Sequence, residues 1–100
     1  MLAHVKVLLS GGCQLQFGDR TSFDLDNVVA EGTSVGGLVL LLRDRYIQER
    51  PELFLDPSMA HLRPGILVLV NGCDAEVLGG TEYLIQNGDE VEFVSTLHGG

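Results

Sequence analysis

Basic residues are scarce in this chain of 100 residues, which has six Lys and Arg against fourteen Asp and Glu and a formal net charge of -8. Proteins that bind nucleic acid need clustered Lys and Arg to contact phosphates, so this balance argues against direct nucleic-acid binding. It suits a protein that is steered toward a basic surface on another protein. Lys6 is the only lysine, so a ubiquitin-type chain has one possible anchor besides the N-terminus.

Long apolar runs and signal-like segments are also missing. No run approaches the ~20 apolar residues needed to cross a bilayer. The segment from Met1 to Ser10 has too short an apolar run and too little basic charge for a secretory signal. We therefore expect a cytoplasmic protein that could also enter the nucleus, with no membrane as partner. Hydrophobic residues make up 45% of the chain and charged residues 20%, which is ordinary for one globular domain of this length.

Cysteine and histidine are few and scattered. Cys13 and Cys73 form no CxxC pair, so two small buried or half-buried thiols are expected rather than a metal or redox site. His4, His61 and His98 lack the spacing of a metal-binding motif such as HExxH. We therefore expect no metal and no bound cofactor.

Apolar alternation predicts strands in the first part of the chain. Residues 3–9 and 13–17 alternate on either side of Gly11-Gly12, which predicts a β-hairpin. Residues 23–26 alternate again and suggest a further extended piece.

One main helix is predicted after these strands. Thr33 or Ser34 can cap its N-terminus, and apolar residues follow the helical i, i+3, i+4, i+7 spacing from Val35 onward. The helix should stop before Pro51, because a residue that precedes proline disfavours the helical region. Residues 50–65 are predicted to form a loop with a short helical turn around residues 58–61.

Strands also dominate the end of the chain. Ile66 to Val70 is a continuous apolar run, which indicates a strand with cover on both faces. Asn71-Gly72 is a strong signal for a tight turn. Residues 90–96 alternate and predict the last strand.

The two glycines Gly99-Gly100 follow this last strand closely. We expect a rigid domain over residues 1–96 and a flexible C-terminal tail over residues 97–100, and glycine lets such a tail enter a narrow enzyme channel. An ionised carboxylate is a poor electrophile, and adenylation by ATP is the obvious route to activate it. A sulfur nucleophile or a lysine amine could then take the acyl group. The protein would be the substrate rather than the enzyme, since it shows no nucleophile–base constellation of the usual kinds.

Several short segments have the spacing of a known family. They are Glu49 to Phe54, Arg63 to Asn71, Leu78-Gly79 with Tyr83, Gly88-Asp89 and, most specifically, Ser95 to Gly100. Together they resemble the ubiquitin-related modifier family of the tRNA-thiolation, or urmylation, pathway. The resemblance implies an α+β fold of the ubiquitin-like β-grasp type, with a mixed sheet wrapped around one main helix.

The resemblance also implies roles for the tail. Gly100 would be the site of thiocarboxylation and isopeptide attachment, and Leu97, His98 and Gly99 would be recognised by the activating enzyme. That E1-like enzyme would use ATP and carry a rhodanese-type sulfurtransferase domain. The sulfur would pass to a tRNA thiolation enzyme complex for 2-thiolation of wobble uridine in cytosolic tRNAs. The acyl group could instead be attached to target-protein lysines.

Two other functions stay open. A sulfur carrier for molybdopterin or thiamine synthesis shares the fold and the Gly-Gly ending. The segments Arg63 to Val68 and Ser95 to His98 favour the tRNA-thiolation family over this alternative. A plain ubiquitin-like interaction domain would usually continue past its last strand.

A partner surface is predicted on the sheet. One helix can cover only one face of a sheet, so the apolar run of the second half, together with a residue of the first strand, could form an exposed patch. The members of this patch are Leu8, Leu67, Val68 and Leu69. The alternative is that the loop over residues 50–65 covers them. The chain itself is expected to be a monomer.

Overall fold

This computed structural model describes residues 1–96, which contain five strands and one α-helix. The strands are β1 (Leu2–Ser10), β2 (Ser22–Ala30), β3 (Ile66–Val70), β4 (Cys73–Asp74) and β5 (Glu90–Ser95), and the helix α1 is Val35–Arg45. The sheet order is β2-β1-β5-β3-β4, with β1 and β5 parallel and the other neighbours antiparallel. One mixed sheet with one main helix is the predicted α+β, β-grasp architecture.

The helix α1 begins and ends as its flanking residues require. Ser34 is the N-cap, since its Oγ accepts a hydrogen bond from the Gly37 N–H at 3.0 Å. Of the two predicted capping residues, Ser34 therefore takes this role. α1 ends at Arg45, before Pro51. No helix within residues 1–96 is long and apolar enough to span a bilayer.

The predicted hairpin after β1 is wrong. Cys13–Phe17 is a 3-10 helix, and β1 pairs antiparallel with β2, the segment predicted only as a further extended piece. Leu15 is 54% exposed, whereas Cys13, Gln16 and Phe17 are buried. Burial at this helical spacing, rather than at every second residue, decides the conformation.

The hydrophobic core lies between α1 and the inner face of the sheet. Phe54 packs edge-on against Phe17 and Phe93, with ring centroids 5.2 and 5.4 Å apart. Phe54 therefore anchors the loop over residues 50–65 in the core, where Leu55 is also buried. The helical turn of this loop is Pro51–Leu53 and not residues 58–61 as predicted.

Candidate functional site

The site predicted at the C-terminus begins where β5 ends. Its residues Leu97, His98, Gly99 and Gly100 lie outside the described residues, so their predicted roles stay predictions. Thr96, the last described residue, is bonded to the start of β3. Its N–H donates to the Gly65 carbonyl oxygen at 3.0 Å, and its Oγ1 donates to the same oxygen at 2.7 Å. The base from which the tail follows is therefore held to the sheet.

The turn after β1 packs against this base. A Cβ built on Gly11 would lie 2.2 Å from the backbone oxygen of Ser95, and Gly11 has a φ of +67°. Glycine is the one residue that allows both the close approach and this conformation without strain. A cavity of about 120 Å³ adjoins the contact, and Arg63 and Leu53 help to line it.

The face of the sheet opposite α1, here called the outer face, holds two patch residues in one row. Leu8 of β1 and Leu69 of β3 are both register partners of Glu92 in β5. Register partners in adjacent strands point to the same face. Both leucines are half-buried. The Glu92 carboxylate accepts a hydrogen bond from Ser10 Oγ at 2.9 Å, so a polar residue lies between the two leucines of this row.

The next row contains the most exposed patch residue. Leu67 is 47% exposed and is the register partner of Val94, which is half-buried. Val94 was not among the predicted patch residues. The alternation of β5 indicates its position, because Val91 and Phe93 are buried and the residues between and after them point outward.

Val68 lies on the opposite side of the sheet from the other patch residues. It is 9% exposed and belongs to the core. The apolar run Ile66–Val70 is thus not covered on both faces as expected, because alternate residues of the strand point inward and outward. The outer face brings together Leu8, Leu67 and Leu69 and leaves out Val68.

The two cysteines differ in environment. Burial raises the pKa of the Cys13 thiol to about 12, against a smaller lowering by a backbone hydrogen bond at Ser95. This thiol stays protonated at neutral pH and is unsuited to nucleophilic chemistry. Cys73 is exposed, so the expectation of a buried or half-buried thiol is right for Cys13 and wrong for Cys73. Over residues 1–96, no cluster of three or more His, Cys, Asp and Glu could hold a metal ion.

Several of the family-like segments meet in one hydrogen-bond cluster around Asp89. Its carboxylate accepts bonds from Tyr83 Oη at 2.8 Å, from the Gln86 N–H at 2.8 Å and from Asn71 Nδ2 at 2.9 Å. Burial alone would raise the pKa of Asp89, but these three donors outweigh it and lower the pKa below its ordinary value. The cluster ties the turn after β3 to the loop before β5, so these segments stabilise the fold.

A family model described as Urm1 (Ubiquitin related modifier) matches residues 4–100. The chain belongs to this family. It is 48% identical over 101 residues to the ubiquitin-related modifier 1 homolog of Chlamydomonas reinhardtii, covering 99% of this chain and 100% of that relative.

Solved structures agree with the family assignment. The solution structure of Urm1 from Trypanosoma brucei has a TM-score of 0.83 and 56% identity, and the match covers 99% of this chain and 97% of that chain. The small archaeal modifier protein 1 from Methanosarcina acetivorans has a TM-score of 0.74 and 25% identity, with 100% and 99% covered. The matches confirm the resemblance and the ubiquitin-like β-grasp fold. They are consistent with a carrier protein rather than an enzyme.

Proposed function

We propose that this chain is a protein modifier and sulfur carrier whose working group is the Gly100 carboxylate. The observation that carries the proposal is the family match, which extends through Gly100 and so includes the Gly-Gly ending. The described body supports it, because sheet bonding reaches Thr96. Four residues of chain span at most about 14 Å when extended. An enzyme that acts on Gly100 must therefore approach the domain closely.

The proposed chemistry activates the carboxylate in two steps. A carboxylate oxygen attacks the α-phosphorus of ATP, and pyrophosphate leaves to give an acyl adenylate. A sulfur nucleophile at the oxidation level of hydrosulfide then attacks the acyl carbon. The carbon–sulfur bond forms as the carbon–oxygen bond to AMP breaks, and a thiocarboxylate remains. A lysine amine that attacks the same carbon gives an isopeptide instead. The catalytic residues of both steps belong to the partner enzyme.

The proposed partners follow from the family resemblance. The activating enzyme is E1-like and carries a rhodanese-type domain, from which a thiol reductant releases the sulfur at the oxidation level of hydrosulfide. The thiocarboxylate delivers sulfur to a tRNA thiolation complex in the cytoplasm for 2-thiolation of wobble uridine. Leu97, His98 and Gly99 are the residues that the activating enzyme recognises next to Gly100.

We also propose that the activating enzyme docks on the outer face of the sheet. Leu67 is the most exposed of the patch residues there. Leu69 lies on the same face of β3, and Leu8 lies across β5 in β1. The net charge of -8 favours an enzyme surface with basic residues around an apolar centre. Such a surface would meet the domain while its active site receives the tail.

The experiment that tests the carrier role uses the chain with and without Gly100. Incubation with ATP, a sulfur donor and the activating enzyme should raise the mass of the C-terminal peptide by about 16 Da, as sulfur replaces one oxygen of the terminal carboxylate. The chain that lacks Gly100 should keep its circular-dichroism spectrum and show no mass gain. Thiolation of tRNA by the truncated chain, or no mass gain in the full chain, would contradict the proposal.

A further inference from the structure

The strand β2 forms an open edge of the sheet. The sheet order is β2-β1-β5-β3-β4, so β2 has a strand neighbour on one side only. Among the elements of residues 1–96, β1 is the one whose backbone lies along β2. The opposite edge is formed by β4, which has two residues, whereas β2 has nine. β2 is therefore the longer of the two edges at which another strand can pair.

The hydrogen-bond register shows which backbone groups of β2 face this edge. The Leu9 N–H donates to the Thr21 carbonyl oxygen at 2.8 Å. In an antiparallel ladder, residues bonded to the partner strand alternate with residues whose N–H and C=O point away from it. Counted from Thr21 along the register with β1, the residues that point to the open edge are Ser22, Asp24 and Asp26. No turn or loop of the described part of the chain bonds to their backbone groups.

The other side of β1 confirms this register. Lys6 is the register partner of Asp24. Its N–H donates to the Asp89 carbonyl oxygen at 3.0 Å, on the side of β5. The Lys6 backbone therefore points away from β2, and the N–H and C=O of Asp24 point away from β1.

The side chains along this edge carry negative charge. Asp24 and Asp26 are exposed and flank the buried Leu25, so their side chains lie on the outer face. His4 Nδ1 contacts Asp26 Oδ1, and His4 Nε2 lies 3.7 Å from Asp24 Oδ1. The Oδ2 atom of each aspartate has no hydrogen-bond or ion-pair partner among residues 1–96. Both carboxylates can therefore accept hydrogen bonds from a cationic ligand.

Phe23 gives the inner side of the same edge an apolar surface. Its ring is half-buried and stacks on the Tyr46 ring, with the centroids 5.2 Å apart. The side chains of a strand that pairs with β2 would alternate between the two faces. One set would meet the aspartates, and the other would lie beside Phe23. The edge thus combines open backbone groups with distinct surfaces for alternate side chains, which is the arrangement that strand addition uses.

We propose that β2 binds an extended basic segment of a partner protein, which adds to the sheet as an antiparallel strand. Antiparallel pairing is the more stable kind per residue. The segment carries Lys or Arg opposite Asp24 and Asp26 and an apolar residue between them. The backbone groups of these basic residues exchange hydrogen bonds with the backbone of the two aspartates. Two strands lie between this edge and Leu67 of β3, so such a partner leaves the position of Leu67 open.

A second copy of this chain fits the edge poorly. Two β2 strands paired antiparallel would place Asp24 and Asp26 of both copies in one row on the same face. Like charges opposite each other destabilise a sheet, and each copy brings a net charge of -8. Charged side chains on an edge strand oppose self-pairing in this way. The same carboxylates favour a basic strand over an acidic one.

The test uses the full chain and a synthetic probe, acetyl-Thr-Val-Lys-Val-Lys-Val-Thr-amide, without an activating enzyme. Its outcome is thus separate from the tail chemistry. At a free peptide concentration ten times the Kd, exchange of the Asp24 amide hydrogen should slow about 11-fold. The control peptide acetyl-Thr-Val-Val-Lys-Lys-Val-Thr-amide has the same charge and composition without the alternation. It should bind several-fold more weakly.

N-methylated forms of the probe test the backbone pairing. In the antiparallel register the N–H groups of both lysines donate to β2, and those of the valines point away. N-methylation of both lysines removes the two donors at unchanged charge and should abolish the protection of the Asp24 amide. N-methylation of the first two valines should leave that protection unchanged.

A matched pair of variants tests the charge of the edge. Asp24→Asn should weaken binding of the probe about 2- to 5-fold, the range of one cross-strand ion pair. Glu76→Gln removes the same charge at an exposed residue beside β4, at the far edge of the sheet, and should leave binding unchanged.

Four results would each rule out a basic partner strand on β2. The first is equal binding of the probe and its rearranged control. The second is equal binding of the two N-methylated forms, and the third is equal binding by the two variants. The fourth is an Asp24 amide that is already protected before peptide is added, as in a chain paired with a second copy.

Discussion

At the scale of single residues, Gly11 and Gly18 offer a matched pair of positions after β1. Both have left-handed backbone, with φ values of +67° and +71°. A Cβ on Gly11 would meet the Ser95 backbone oxygen at 2.2 Å, whereas one on Gly18 would meet the side-chain amide of Gln48 at 2.7 Å. A flexible side chain can move aside and a sheet backbone cannot. The same substitution should therefore lower the free energy of unfolding by different amounts at the two positions.

We expect Gly18→Ala to lower the free energy of unfolding by about 1 kcal/mol, the usual penalty for alanine in this conformation. Gly11→Ala should lower it by about 3 kcal/mol or more, because the base of the tail must shift as well. Urea denaturation measures both values. Equal losses in the two variants would show that the contact with Ser95 is not rigid.

Asp89 should make the stability of the protein depend on pH. Hydrogen bonds hold its pKa in the folded state below its ordinary value, which in an unfolded chain is about 3.9. The ionised group therefore stabilises the fold above that pH, and this contribution is lost as the pH falls through the lower folded pKa.

We expect Asp89→Asn to cost about 1 to 3 kcal/mol at pH 7, because Tyr83 and Gln86 donate to one carboxylate oxygen and Asn71 donates to the other. An amide can accept on one side only, so it leaves a donor without its acceptor. The difference from the unaltered chain should shrink below about pH 4. Asp19→Asn, at an exposed residue, serves as the control and should change little. Urea titrations from pH 7 to pH 2.5 measure the effect, and a constant difference across that range would contradict it.

At the scale of elements, two leucines of similar exposure form a second matched pair, one on the outer face and one in a loop. Leu67 of β3 is 47% exposed, and Leu84 in the loop before β5 is 52% exposed. Leu67→Asp should raise the KM of the activating enzyme for this chain at least about tenfold, as expected for an apolar residue at the centre of an interface. Leu84→Asp should leave it unchanged. Thermal melts should show both variants folded, and equal KM values would place the docking surface elsewhere.

The elements also show where local pattern is informative and where it is not. The spacing from Val35 onward predicts α1, because an amphipathic helix repeats its apolar residues every three or four positions. Over Cys13–Phe17 the pattern is too short to separate a strand from a 3-10 helix. The burial of Phe17 against Phe54 decides for the 3-10 helix, and that contact joins segments far apart in sequence.

At the scale of the whole molecule, repulsion between like charges should be the main electrostatic contribution to the stability of the fold. The chain has fourteen acidic and six basic residues. Within residues 1–96 the Arg–carboxylate pairs are Arg43 with Asp44 and Arg50 with Glu52, which are local and lie at the surface. Such pairs contribute little, so they do not offset the repulsion among the remaining carboxylates.

We therefore expect the Tm to rise by a few degrees between low salt and about 0.15 M NaCl, where the screening length falls to about 8 Å. NaCl is preferred to sulfate, because sulfate also strengthens apolar burial. A Tm that falls over this range would mean that salt bridges outweigh the repulsion. Differential scanning calorimetry at pH 7 makes the comparison.

Sequence and tertiary structure contribute differently to the candidate site. The Gly-Gly ending and the upstream segments identify the family without any coordinates, because they are short motifs read along the chain. Three of the four predicted patch residues lie on one face, and Val68 does not, since a purely apolar strand has no polar residue to mark its outer side.

The strands β1, β3 and β5 and the one main helix follow from local periodicity, which acts over a few neighbouring residues. The contact of Gly11 with Ser95 and the Asp89 cluster arise only when distant strands pair. No local pattern encodes them, because each depends on the register between segments that meet in the folded sheet.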